Sequence, residues 1–123
     1  MSVAAAQARA FYEEAVREDS VWAVRDGEGF PAPLTPDGRR AMPFWSLRTR
    51  AQSVIARVPA YGVLVPVELP LAEFRARWLP GLQRDGIRVG VNWSGPFSTG
   101  YDLTAREVEN LLAAVIGRVV TGG

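Results

Sequence analysis

The apolar positions change period inside the stretch LAEFRARWLPGLQRDGIRVGVNWSG, Leu71 to Gly95. In its first half Leu71, Phe74, Trp78, Leu79 and Leu82 recur every three or four residues, which sets them on one face of a helix. Glu73 and Arg77 stand i,i+4 on the polar side, an order that steadies a helix by roughly 0.2–0.5 kcal/mol. Pro80 disfavours helical dihedrals at Leu79, so regular helix is expected to end or kink there before a last turn through Leu82. Arg84-Asp85-Gly86 is turn chemistry. Beyond it Ile87, Val89, Val91 and Trp93 alternate with Arg88, Gly90 and Asn92, the period of a strand with one buried face.

The same reading extends to the rest of the chain. Ser2 to Asp19 predicts a first helix, with Ala4, Ala8, Phe11, Ala15 and Val16 on its apolar side. Ser20–Arg25 reads as a strand running into the turn Asp26–Gly29, and with Phe30 onward it predicts a hairpin. Pro31, Pro33 and Pro36 limit ladder pairing there, Asp37-Gly38 marks another turn, and Arg39–Phe44 predicts a third strand. Ser46 is placed to N-cap a helix whose apolar face is Ala51, Val54, Ile55 and Val58, closed by Pro59 and Gly62. Tyr61–Glu68 is a Val-rich strand whose Pro66 calls for an edge or a bulge. Should it neighbour Ile87–Trp93, the intervening helix would make a parallel crossover. Thr104-Ala105-Arg106-Glu107 fits a capping box, followed by the apolar face Val108, Leu111, Leu112, Val115 and Val119. These elements predict an α+β fold in a single domain over residues 1–123: a mixed sheet of four or five strands with about four helices mainly on one face, frayed at 1–3 and 121–123.

WLPGLQRDGIRVGVNWSG, taken with the upstream FYEEAV, VWAVRDGEGF and PFWSLRTRAQ, resembles the bacterial family known as domain of unknown function 2750. The resemblance spans Phe11 to Ser94 and thins after Gly95. It implies a compact bacterial domain without an assigned activity, so it brings no catalytic residue to carry over.

Composition sharpens the picture mainly by exclusion. There is no Cys, no His and no Lys, and all fourteen cations are Arg. That removes thiol and Ser-His nucleophiles, Schiff-base chemistry, the Walker-type phosphate grip and the usual zinc sites. No catalytic residue, metal ligand or cofactor is therefore assigned. A net charge of +1 argues against nucleic acid as a partner, and no apolar run is long enough to expect a membrane span. The N-terminal segment lacks the apolar core of a signal peptide, and with the missing cysteines this leads us to expect a cytoplasmic protein.

Three features stand out as candidate sites. Trp22, Trp45, Trp78 and Trp93 are many for 123 residues; they can form a recognition surface or fill the core, and Trp45 and Trp93, at element ends, are the better surface candidates. Asn92-Trp93-Ser94 leaves a strand for a Gly/Pro/Ser-rich loop, where Asn92 and Ser94 can serve a ligand or simply close a turn. Between Gly38 and Val67 lie five arginines and no acid, while the first 28 residues hold six acids against three arginines. This asymmetry, carried by Arg39, Arg40, Arg48, Arg50 and Arg57, can mark a face for an acidic partner or a phosphate, although a solvated helix face plus a turn explains it too. The leading expectation is a non-catalytic module of accessory or immunity type that binds another protein through Trp45, Arg48, Asn92, Trp93 and Ser94. The alternative is a small-molecule or anion site, open to enzymatic use of Arg, Asp, Ser and Asn groups, in which Arg48, Asn92 and Ser94 converge with Asp85 or Asp102.

Overall fold

In a computed structural model that describes residues 2–122, with side chains to Val120, the chain forms four helices and five strands. They follow as α1 (Val3–Glu18), β1 (Ser20–Arg25), β2 (Ala41–Phe44), α2 (Arg48–Arg57), β3 (Val65–Pro70), a helical run α3 (residues 71–85), β4 (Arg88–Ser94), β5 (Thr99–Leu103) and α4 (Ala105–Gly122). Of the expected frayed ends, Met1 and Gly123 lie outside the described residues. Ser2 caps α1 by accepting the Ala5 N–H at 3.1 Å, and Asp19 ends that helix in the left-handed region at φ 56°. The capping box at α4 forms as expected: the Glu107 carboxylate accepts the Thr104 N–H at 3.0 Å while the Thr104 hydroxyl accepts the Glu107 N–H at 3.1 Å.

Strand pairing departs from the local expectation. After β1 the Asp26 carboxylate accepts the N–H groups of Glu28 at 2.8 Å and Gly29 at 3.1 Å and closes a turn. No second strand of a hairpin follows, because the proline-rich segment supports only a Leu34–Arg40 bridge. The partner of β1 is β3, antiparallel from Ser20 opposite Pro70 to Arg25 opposite Val65. β3 does not lie beside β4, so the parallel crossover between those two strands does not exist. Pro66 and Pro70, which lack an N–H, instead sit on a strand with only one neighbour. The parallel pair is β2 with β4, and β5 adds antiparallel to β4. The expected mixed sheet is thus divided into one of two strands and one of three. A bridge at Trp22 and Trp45 joins them, with reciprocal backbone bonds of 2.7 and 2.8 Å.

Side chains alternate across these strands into two cores. Val21 and Ala23 of β1, Phe44 of β2 and Val89 and Val91 of β4 pack with α1, α3 and α4 around Phe11, Phe74 and Leu112. Val24, Ala41 and Trp45 turn the other way and meet α2 through Ala51 and Val54, with Trp93 completing the cluster. Most of the helical mass is therefore on one side, as the sequence predicts.

Within α3 the α-helical Leu71–Glu73 passes into a π-helical segment, Phe74–Trp78, and resumes as Leu79–Asp85. The Leu79 N–H reaches back five residues to the Phe74 carbonyl, and the widened turn lets the chain stay helical through Pro80, which has no N–H to give. It also spreads residues four apart off a common line, and Glu73 and Arg77 make no ion pair among the described residues. Arg75 instead grips Glu109 of α4, its Nη2 at 2.6 Å and its Nε at 3.0 and 3.1 Å from the carboxylate oxygens.

Candidate functional site

The site begins with a break in β4. Asn92 adopts φ 50°, and the register with β5 slips between Val91 and Ser94. Asparagine tolerates this left-handed geometry better than most residues. The bulge reverses the alternation, so that Trp93 leaves the face of Val89 and Val91 and enters the second core. Two glycines give it room: a Cβ on Gly90 would stand 2.3 Å from Trp93 Cε2, and one on Gly100 would stand 2.9 Å from its Cδ1. The Trp93 indole N–H donates to the Tyr101 carbonyl at 3.0 Å, and that of Trp45 donates to the Trp93 carbonyl at 2.8 Å. Both indoles are satisfied inside the protein.

The same bulge turns the Asn92 amide inward, where it is 1% exposed. Its Nδ2 donates to the Gln7 carbonyl at 3.0 Å and to the Ser46 hydroxyl at 2.9 Å, while its Oδ1 accepts the Ser46 backbone N–H at 2.9 Å. The Ser46 hydroxyl in turn donates to Glu14 Oε1 at 2.6 Å. Glu14 then receives two bonds from Arg50, Nε to Oε1 and Nη2 to Oε2, each at 2.8 Å. Arg50 Nη1 donates to the Gln7 side-chain carbonyl. Five side chains from α1, the β2–α2 junction, α2 and β4 are tied into one network. Burial pushes the Glu14 carboxyl up, but the hydrogen bonds from Arg50 and Ser46 and the guanidinium charge outweigh it and hold the group below its usual value. Ser46 is not the helix cap expected of it: α2 starts after Leu47 without a side-chain cap, because the Ser46 hydroxyl is spent in this network.

Three members of the network, Gln7, Arg50 and Asn92, line the floor of a cleft of about 560 Å³ between the start of α1, α2 and the end of β4. Arg50, Ser53 and Arg57 reach it from α2, Asn92 and Ser94 from β4, and Leu47, Val54 and Trp93 supply apolar wall. No acidic residue lines it. Arg57 makes no ion pair among the described residues. The arrangement offers positive charge and hydroxyls beside apolar surface, in a volume suited to a small organic ligand.

The nominated residues are distributed as follows. Trp45 is 0% exposed and Trp93 5%, so both belong to the core. Asn92 is in the buried network, and Ser94 is at the rim of the cleft. Arg48 points elsewhere, its guanidinium 5.6 Å above the Trp22 ring. Neither acid joins them: Asp85 borders a separate hollow with Met42 and Trp78, and Asp102 faces Arg88 at 3.5 Å. The sequence does not single out Gln7 or Glu14 for this cleft, and it offers Arg50 and Arg57 only as members of the acid-free run of five arginines. One signal was available, since Arg50 and Arg57 are seven apart and share a helix face with Ser53 and Val54. Among the described residues no group of three or more His, Cys, Asp or Glu side chains can hold a metal ion, and no helix is long and apolar enough to cross a membrane.

An α+β domain with three helices over one sheet face, one over the other and a polar-floored cleft at a strand bulge is thus the class this chain defines. It belongs to the family described as protein of unknown function (DUF2750), whose model matches residues 8–112. The match continues past Gly95 through β5 into α4, further than the motifs that carry the resemblance. No curated protein and no solved structure matches the chain.

Proposed function

We propose that this is a non-catalytic domain that binds a small anion-bearing ligand in the cleft between α1, α2 and β4. The observation that carries this reading is an acid-free lining with two guanidiniums, one of them, Arg57, unpaired among the described residues. The bonded floor supports it, because Asn92, Ser46 and Glu14 fix the position of Arg50 before any ligand arrives. The cysteine-free composition fits action in the bacterial cytoplasm.

Thermal-shift screening of carboxylates, phosphate and sulfate against wild type and Arg57→Gln tests the proposal. At least one anion should raise the melting temperature of the wild type and leave the variant unmoved. Equal shifts in both proteins would refute it. Binding of another protein is the second reading, favoured by Phe97, which stands 82% exposed on the turn between β4 and β5 beside the cleft residue Gly95. Loss of a partner on Phe97→Ser with anion binding intact would select that reading.

A further inference from the structure

The cleft also carries information about which anion it takes, an inference that rests on the proposed ligand site. A guanidinium has five N–H donors. Glu14 occupies the Nε and Nη2 edge of Arg50, and Gln7 takes one donor of Nη1. One N–H on each terminal nitrogen remains for a ligand. The ion pair also removes one of the two positive charges that Arg50 and Arg57 bring, so the site presents a net charge of one. A monoanion matches that charge, whereas a dianion would leave a negative charge uncompensated beside the apolar wall of the cleft.

Two other donor groups beside the cleft are already used. The Asn92 amide is saturated by Gln7 and Ser46, and the Trp93 indole N–H by Tyr101. The charged end of a ligand is left with the two arginines and the hydroxyls of α2 and Ser94, and its body meets Leu47, Val54 and Trp93. We infer that the ligand is a monocarboxylate with an apolar body, held by the free donors of Arg50 and by Arg57, and that phosphate monoesters are discriminated against.

Isothermal titration calorimetry of the full chain at pH 8 with acetate, hexanoate and hexyl phosphate decides the matter, since the phosphate ester is then a dianion. Hexanoate should bind at least about tenfold more tightly than acetate, from burial of its methylenes, and more tightly than hexyl phosphate. Arg57→Gln should lose hexanoate while keeping the wild-type circular dichroism. Hexyl phosphate binding as well as hexanoate, or acetate matching it, would overturn the monocarboxylate assignment; if Arg57→Gln abolished that binding, the cleft itself would stand. No binding of any of the three by folded wild type would overturn the assignment and the ligand site together.

Discussion

The two cores flank the same strands and are built on different terms. The one under α1, α3 and α4 is closed by apolar side chains, with Phe11, Phe44 and Phe74 in edge-to-face contact at centroid distances of 4.9 and 6.5 Å. The one under α2 is smaller, is centred on Trp45 and Trp93, and merges into the network of Gln7, Glu14, Ser46, Arg50 and Asn92. Stability alone does not call for the second arrangement, since buried ion pairs commonly hold little net advantage over apolar packing. What the network does supply is a set of fixed donors at the edge of a cleft, and this is why the proposed ligand site is placed on this side of the sheet.

The largest expected effect is on the smaller core. Trp45→Ala empties a fully buried site and takes away the donor to the Trp93 carbonyl, and it should cost about 3–5 kcal/mol in urea unfolding. A loss below about 1 kcal/mol would mean that α2 is only loosely attached.

Next in size is the bulge. Asn92→Ala and Asn92→Gly both remove the amide that joins Gln7 to Ser46, at about 1–3 kcal/mol. Only alanine also bears the left-handed φ of 50°, so it should be the less stable of the two by about 1 kcal/mol. Equal stabilities would show that the bulge relaxes once the amide is gone.

Acid should separate the cores further. Glu14 is held below its usual pKa of 4.5, so its contribution is fully present above that value and is lost as pH falls through the lowered one. Glu14→Gln should therefore be less stable than wild type at neutral pH and converge with it as pH falls through the lowered pKa. Parallel pH profiles would contradict the assigned network. The smallest effect belongs to Arg48→Ala, which loses an exposed contact over Trp22 and should change stability by no more than about 1 kcal/mol.

How far the sequence revealed this follows from the range of each interaction. Helix faces, the Thr104–Glu107 box and the Asp-Gly turns are set by neighbours within a few residues and were legible. The partner of β1 was not, because periodicity says which face a strand buries and nothing about which strand lies beside it. Ser46 looked like a cap because caps are local; its true partners, Glu14 and Asn92, are 32 and 46 residues away. Glu14 stands beside Glu13 on α1 with no local sign of a partner, and only Arg50, 36 residues on, gives it a role. Asn92 and Ser94 stand out in the sequence as polar residues leaving a strand, but the left-handed turn that buries one and leaves the other at the cleft has no sequence signature beyond an Asn within a strand.

The most direct test of the proposed ligand site uses the four indole N–H groups as reporters in a ¹H–¹⁵N spectrum while hexanoate is added. Trp93 lines the cleft and should shift saturably, with Trp45 following through their hydrogen bond, while Trp78 on the opposite face holds still and Arg57→Gln silences the response. Movement of Trp78 ahead of Trp93, or an unchanged spectrum in folded wild type, would contradict the account.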